Sequence, residues 1–408
     1  MELDKIFEFI GGCEELAVEL QTELTRRPAV SPTSGGEGEL DKCVFLERWL
    51  GEHGICALER HDAPDPQAKG GLRPNLVATI EGKGGGRLWI VSHLDVVPAG
   101  ELSLWNGDPW TAVRKDGRLI GRGVEDNQQG LVSSILAALA FVKLKIRPER
   151  TLKLLFAADE ECGSGFGIDW LLKNRRGLFE SGDTALIPDG GDSAGDTIAI
   201  DEKNQIRLKV HTIGVQAHAS CPEMGRNACL AGADLMLRLR NGLLKKFDER
   251  DKLFEPDYST VEPTKKEPNV PNINTIPGDD VFYIDIRALP RYSASEILEE
   301  ARRIKAGIEQ EYGVKVVISD IQSMKSKATP ASSPVVKALS AACKEVLGVE
   351  TRLIGMGGGT VAAFLRNAGI DSVVWSRMDD TAHQPNEYCV IENLLCGAKV
   401  MACMAARK

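Results

Sequence analysis

The chain reads as an α/β protein carrying an inserted α+β unit, and three observations predict this. Over residues 1–200, strand-like apolar runs alternate with helical patterns, the signature of βαβ units feeding an open sheet. From about Lys203 the texture changes to strands separated by longer helices, and after Pro330 the βα texture returns. Finally, five segments of the α/β part each deliver an imidazole or a carboxylate just past a predicted strand. In open α/β sheets the loops beyond the carboxyl ends of the strands converge on one crevice. The expected division is therefore 1–203 with 329–408 as the ligand-bearing domain and 204–328 as the insertion, within the two or three units that 408 residues suggest.

In chain order, strands are expected over 75–80, 88–92, 152–158 and 185–187. Between the first two stands Glu81-Gly82-Lys83-Gly84-Gly85-Gly86, whose glycines supply the positive φ angles of a tight turn. Residues 131–142 form the longest apolar stretch, but Ser133 and Ser134 interrupt it. It falls well short of the ~20 residues that span a bilayer and reads as a buried helix. The insertion shows strand 207–212, helix 227–240, a Pro- and Lys-rich loop 262–271, strand 281–287, helix 293–312 and strand 314–318. Ser293-Ala294-Ser295-Glu296 fits a capping box, in which serine and glutamate reciprocally satisfy orphan amides at a helix start. Helix 335–346 follows. A domain inserted in this way is expected to leave a cleft in which a substrate is held.

Apolar content of 43% with 27% charged residues belongs to an ordinary globular protein. A net charge of −9, without a basic stripe, argues against nucleic acid. Met1-Glu2-Leu3-Asp4 lacks the basic start and apolar core of a secretory signal, so the expected compartment is the cytoplasm, with no membrane partner. The ten cysteines include no Cys-x-x-Cys pair and read as reduced thiols with a packing role.

His93 and Asp95 follow the run 88–91, Asp126 follows 119–123, Glu160 and Glu161 follow 152–158, Asp189 follows 185–187, and His383 lies a short loop beyond 370–376. Imidazole nitrogen and carboxylate oxygen without thiolate suit zinc, manganese or cobalt in a catalytic site. Each ion needs about three protein ligands, so one bridging carboxylate lets five residues serve two divalent ions. Such a pair outweighs its ligating carboxylates in charge and brings a bound water toward a pKa of ~7. In His93-x-Asp95 the aspartate is read as accepting the other ring N–H and fixing the tautomer. In Asp159-Glu160-Glu161 one glutamate ligates while its neighbour takes a proton from the nucleophilic water, and spacing does not say which.

Taken singly, Asp126, Asp189 or the acidic triplet would most often be solvated carboxylates or helix caps, and His93 and His383 satisfied hydrogen-bonding residues. Jointly that reading weakens, because each ends a strand pattern. His53, His61 and His211 lack this context and read as ordinary. Gly163-Ser164-Gly165-Phe166-Gly167 departs from the G-x-G-x-x-G spacing of a dinucleotide loop and would set a pyrophosphate beside three carboxylates. Gly355-Met356-Gly357-Gly358-Gly359-Thr360, before helix 361–366, is better suited to gripping a substrate carboxylate with amides and a hydroxyl.

Ser92-His93-Leu94-Asp95-Val96-Val97-Pro98, Gly121-Arg122-Gly123-Val124-Glu125-Asp126-Asn127, Asp159-Glu160-Glu161, Pro188-Asp189 and Ala382-His383-Gln384-Pro385-Asn386-Glu387 resemble the co-catalytic zinc metallopeptidases and amidohydrolases that include acetylornithine deacetylase, succinyl-diaminopimelate desuccinylase, aminoacylase and glutamate carboxypeptidase. The resemblance runs almost end to end. It implies a zinc-exopeptidase-like three-layer catalytic domain and a ferredoxin-like lid that commonly dimerises. It further implies His93 and Asp189 on one zinc, Glu161 and His383 on the other, Asp126 bridging, Asp95 orienting His93, and Glu160 as general base. A cis peptide is implied at Asp126-Asn127. Gly214-Val215-Gln216-Ala217-His218-Ala219-Ser220 resembles the lid segment whose histidine stabilises the oxyanion, often across a dimer interface. Asn274 and Arg287 match lid positions that hold the substrate's carboxylate, and Gly358, Gly359 and Thr360 match the family's Gly-Gly-Thr loop, also expected to bind substrate. Asp126-Asn127-Gln128-Gln129-Gly130 departs from the commoner Asp-Met-Lys-Gly, which bears on the substrate subgroup. The expected activity is removal of an acyl group from an N-acyl-amino acid by metal-bound hydroxide. The resemblance also implies two divalent ions, expected to be Zn2+ with Co2+ or Mn2+ as alternatives, and a homodimer. A dipeptidase or carboxypeptidase is the alternative activity, and a non-catalytic metal-binding scaffold the remote one.

Overall fold

A computed structural model describes residues 2–84 and 86–407. Two compact units emerge: residues 1–200, 328–354 and 360–408 form the first, and residues 201–327 with 355–359 the second. Residues 355–359 cluster with the second unit because its backbone claims them. The Gly355 amide donates to the Leu253 carbonyl at 2.6 Å, and the Lys203 amide to the Met356 carbonyl at 2.9 Å.

The first unit is built on an eight-stranded sheet in the order Leu58–Pro64, Leu72–Ile80, Thr151–Ala157, Arg87–His93, Thr184–Ile187, Asp371–Val374, Thr197–Glu202, Arg352–Met356. Four neighbouring strands at its centre are parallel: His93 pairs with Ala157, Ile90 with Leu186, and Val374 with Ile187. Their carboxyl ends therefore lie side by side. Thr184–Ile187 and Thr197–Glu202 are buried at every position, as expected where both faces of a sheet are covered. One group of helices, Glu2–Gly11, Glu14–Thr25, Gln128–Leu144, Pro334–Leu347 and Ile391–Ala405, packs together around Gln128–Leu144 and Ile391–Ala405. Leu40–Glu52 packs on Leu72–Ile80, and Val361–Asn367 packs on Thr184–Ile187 and Asp371–Val374. Gln128–Leu144 is buried around nearly its whole circumference, so its apolar run belongs to the core. Among the described residues no helix is long and apolar enough to cross a membrane.

The second unit has the βαββαβ order of a ferredoxin-like fold. Its sheet runs Thr260–Lys266, Asp279–Ala288, Asn204–Ile213, Lys315–Met324, antiparallel throughout. Burial alternates residue by residue along Asp279–Ala288 and over 206–213 of strand Asn204–Ile213, so one face carries the core. Leu208, Val210, Phe282 and Ile284 pack there with Leu235 and Leu239 of helix Ala228–Lys246 and Ile297 and Ile308 of helix Ala294–Tyr312. The capping box at Ser293 and Glu296 forms as the sequence predicts.

Two local expectations change, and that for the glycine turn is met at Gly84 and Gly86. The expected loop 262–271 begins as a strand, Thr260–Lys266. It tolerates Pro263 because it is an edge strand with a register shift between Pro263 and Lys265, and lysines at such an edge discourage further pairing. Gly84 and Gly86 have φ of 110° and 88°, whereas Gly85 lies outside the described residues. Strand Thr151–Ala157 stands between the two strands this turn connects, so the turn does not close a hairpin. The run expected before Asp126 supplies only Arg118–Ile120, in a small sheet with Val113–Lys115 and Tyr388–Val390. Asp126 is thus presented by the turn that opens helix Gln128–Leu144 rather than by the end of a central strand.

Candidate active site

His93 is the last residue of its strand, with Asp95, Glu160, Glu161 and Asp189 just beyond the ends of this strand and its two parallel neighbours. His383 follows the fourth parallel strand by a longer loop. This common edge, together with the turn holding Asp126, assembles seven predicted residues in the first unit. His93 Nε2 lies 3.0 Å from Asp126 Oδ1 and 3.7 Å from Asp189 Oδ1. His383 Nε2 lies 3.1 Å from Asp126 Oδ2 and 3.2 Å from Glu161 Oε2. Each imidazole thus faces its own oxygen of Asp126. His93, Asp126 and Asp189 form one trio whose ligand atoms lie within 4.8 Å of one another, and Asp126, Glu161 and His383 form another. Two imidazoles and three carboxylates, sharing the middle carboxylate, fit a pair of divalent cations.

The charge distribution fits as well. Burial pulls the His93 imidazole down, but Asp126, Asp189 and Asp95 outweigh it and push it well above its ordinary value. Hydrogen bonding to Asp126 and Glu161 raises His383 to about 10. Burial acts to raise Asp126, yet His383 and His93 hold its carboxylate below the usual range. Burial, joined by the charge of Asp189, pushes Glu160 well above the carboxylate range, and burial takes Glu161 to about 7. The carboxylates that draw protons to these two imidazoles would draw cations in the same way.

Asp95 does more than the sequence suggests. Its backbone carbonyl is the near partner of His93 Nδ1, at 2.9 Å, with its carboxylate Oδ1 at 3.5 Å. The two carboxylate oxygens instead accept the amides of Glu160 and Glu161, each at 3.0 Å. The Asp126–Asn127 peptide is cis, and Asn127 Nδ2 donates to the Pro188 carbonyl and to Asp189 Oδ1, both at 2.8 Å. Asp159 and His383 have φ of 64° and 63°, a left-handed backbone that costs a non-glycine residue roughly 1–2 kcal/mol. At Asp159 neighbours enforce it: its amide donates to Glu39 Oε1 at 3.2 Å, and its carboxylate meets Arg73 Nη2 at 3.2 Å and the Phe166 amide at 3.1 Å.

Sequence reasoning missed the buried support behind these ligands. Arg73 and Glu39 form a buried ion pair, with Arg73 Nε 2.6 Å from Glu39 Oε2. Lys42 is buried, and burial pulls it to about 8 against the attraction of Asp95, Glu39 and Glu387. No local pattern marks Glu39, Lys42 or Arg73. Glu125 and Glu387, however, flank Asp126 and His383 within the motifs themselves.

The remaining predicted residues belong to the second unit, except Thr360. His218 pairs with Thr275 in a two-stranded ribbon beside Asn274, and its Nδ1 is 2.7 Å from Ser220 Oγ. Arg287 Nε donates to Asp285 Oδ1 at 2.7 Å, while Nη1 reaches the Gly357 carbonyl at 3.4 Å, so Arg287 adjoins the glycine loop. A Cβ on Gly359 would meet Gln205 Nε2 at 1.8 Å, so a larger residue there would have to displace the Gln205 side chain. Thr360 caps helix Val361–Asn367, its Oγ1 accepting the Ala362 amide at 3.1 Å.

A cluster of this composition at the carboxyl ends of a parallel sheet defines a metallohydrolase. Known proteins agree. The model of peptidase family M20/M25/M40 matches residues 89–407. An uncharacterized metallohydrolase of Methanococcus maripaludis is 39% identical over 403 residues, covering 94% of this chain and 97% of its own. Succinyl-diaminopimelate desuccinylase of Wolinella succinogenes is 30% identical over 308 residues, covering 74% of this chain and 80% of its own. The solved di-peptidase Dug1p of Saccharomyces cerevisiae shares the fold, with a TM-score of 0.81 and 18% identity over 99% of this chain and 98% of that one. The chain belongs to peptidase family M20/M25/M40, and it is a metallohydrolase acting on amide or peptide bonds.

Proposed function

We propose that the protein removes an acyl group from an N-acyl-amino acid, as a deacetylase or desuccinylase does. The observation that carries the reading is Asp126, whose two oxygens face two imidazoles from different loops at 3.0 and 3.1 Å. His93 and Asp189 would hold one ion, Glu161 and His383 the other, with Asp126 shared. Zinc suits this all-nitrogen-and-oxygen set best, with cobalt or manganese as replacements. Two such cations polarise the scissile carbonyl and acidify water.

The chain's own residues supply the rest. Glu160, with its raised affinity for a proton, takes a proton from the attacking water and returns it to the leaving nitrogen as the C–N bond breaks. Asp95 holds the ring of His93 through its carbonyl and holds the Glu160–Glu161 backbone through its carboxylate. His218 donates a hydrogen bond to the carbonyl oxygen as negative charge develops there. Arg287, Asn274 and the Gly358-Gly359-Thr360 loop hold the carboxylate of the amino-acid moiety. The second unit serves as lid and dimerisation domain, so the working form is a homodimer.

Identity of 30% to a desuccinylase over most of the chain favours an acylated amino acid. The likeness to a dipeptidase at 18% identity supports a dipeptide as the second reading. Hydrolysis of N-succinyl- and N-acetyl-amino acids should exceed that of dipeptides in a panel run with zinc, cobalt or manganese. Preference for dipeptides reverses the order. Mixing His218→Ala with Glu160→Ala subunits should restore some activity if His218 serves the partner's site.

A further inference from the structure

Asp126 and His383, which pair in the second trio, are carried by segments 121–126 and 379–388. Two buried carboxylates outside the trios tie these segments together in opposite directions. Glu125 reaches toward the His383 segment. Its Oε1 accepts the Asp379 amide at 2.9 Å, and its Oε2 accepts both the Thr381 amide and the Thr381 hydroxyl, the latter at 2.7 Å. Glu387 reaches back toward the Asp126 segment. Its Oε1 accepts the amides of Glu125 and Asp126 at 2.9 and 3.0 Å, and its Oε2 accepts the Gly123 amide at 2.9 Å and Arg122 Nη1 at 2.7 Å. The Gly121 amide closes the strip by donating to the Glu387 carbonyl at 2.9 Å.

Glu125 is 3% exposed and Glu387 1%. Burying a carboxylate is costly unless its lone pairs are satisfied, and here all four oxygens accept at least one donor. Five backbone amides from the two ligand-bearing segments end on these two side chains. A metal site needs its ligands held to within about 0.5 Å, and nothing local sets the distance between Asp126 and His383, which come from opposite ends of the unit.

We propose that Glu125 and Glu387 form a reciprocal carboxylate clamp that sets the separation of Asp126 and His383, making them positioning residues for the second cation. The inference rests on the reading that the two trios hold two ions. Asp126 belongs to both trios, but His383 belongs only to the second, and His93 and Asp189 do not touch the clamp, so its loss should fall harder on the second ion. Glu387→Gln keeps the shape but turns an NH2 group toward one of the two donor pairs, setting donor against donor.

Cobalt titration of metal-free protein, read by calorimetry and by visible absorption, tests this. Wild type should bind two ions. Glu387→Gln should weaken the ion of the second trio by about tenfold to a hundredfold, as loss of a group supporting a ligand does, and the ion of the first trio by markedly less, with the absorption of the second ion altered and kcat falling more than KM rises. Thr381→Val, which removes one donor to Glu125, should weaken the second ion by about threefold to tenfold, and it decides the matter if Glu387→Gln does not fold. A second-ion affinity equal to that of wild type in the folded variants overturns the clamp. So does equal weakening of both ions with a lower melting midpoint of the metal-free protein, which would make the role merely structural. Fewer than two ions in wild type overturns the two-ion reading itself, a distinguishable failure.

Discussion

The two groups of functional residues are held in contrasting ways. In the first unit several candidate ligands or their segments lean on a side chain from elsewhere in the chain: Asp189 on Asn127, the Glu160–Glu161 backbone on Asp95, and the Asp126 segment on Glu387. In the second unit His218 is exposed and touches Ser220, two residues away, and Asn274 touches Asn272. The difference fits the roles proposed for the two groups. Cations accept only narrow ligand distances, which long-range buried contacts can enforce, whereas a group that must meet an arriving substrate needs a free ring face and some freedom to adjust.

If this contrast is correct, the largest effect comes from the one first-unit residue with chemistry but no ligand role. Glu160→Gln should lower kcat by on the order of 10²–10⁴ while metal analysis still finds about two ions per chain. Should Glu160→Gln lose an ion and Glu161→Gln keep both, the roles within the triplet are exchanged. His218→Ala should lower kcat about 10²–10³-fold, with a smaller change in KM and no change in metal content. A lost ion in that variant would erase the distinction between the two groups.

The pH dependence of the metal-free protein sharpens the contrast further, because its shifted groups lie at the ligand cluster. His383 rises from its ordinary 6.5 to about 10 on hydrogen bonding with Asp126 and Glu161, and burial lifts Glu161 from 4.5 to about 7. Both bind protons more tightly folded than unfolded, so their contribution is fully present below the unfolded values and is lost as pH rises through the folded ones. Asp126, held low by the two histidines, contributes in the opposite sense, only as pH falls below its ordinary 3.8. The melting temperature of chelator-treated protein should therefore decline between about pH 4.5 and 10, first through Glu161 and then through His383, and zinc should remove that decline. A melting temperature that climbs steadily across this range contradicts the ion pairing around His383. The smallest effect is confined to the second unit: Ser293→Ala should cost about 1 kcal/mol in chemical denaturation by breaking the capping box, without touching metal affinity.

His93, Glu160, Glu161 and Asp189 were legible because each sits within a few residues of an apolar run, and a period-two or continuously buried strand is written into neighbouring residues. The capping box at Ser293 and the alternation of Asp279–Ala288 were legible for the same reason. The edge strand Thr260–Lys266 was not, since its proline and lysines resemble a loop until the sheet beside it is known. Likewise the apolar run before Asp126 looks like a central strand but pairs only within a small separate sheet.

From the residues themselves come the βα alternation, the inserted unit and the ligand chemistry, because strand periodicity, turn residues and the identity of metal-binding side chains are local properties. Only the tertiary structure decided that one Asp126 carboxylate faces two imidazoles, that Asp95 braces the Glu160–Glu161 turn, and that Glu125 and Glu387 tie together segments more than 250 residues apart, with separations of 254 to 265. Which buried carboxylate meets which amide depends on how the strands order in the sheet, and no short stretch of sequence carries that order.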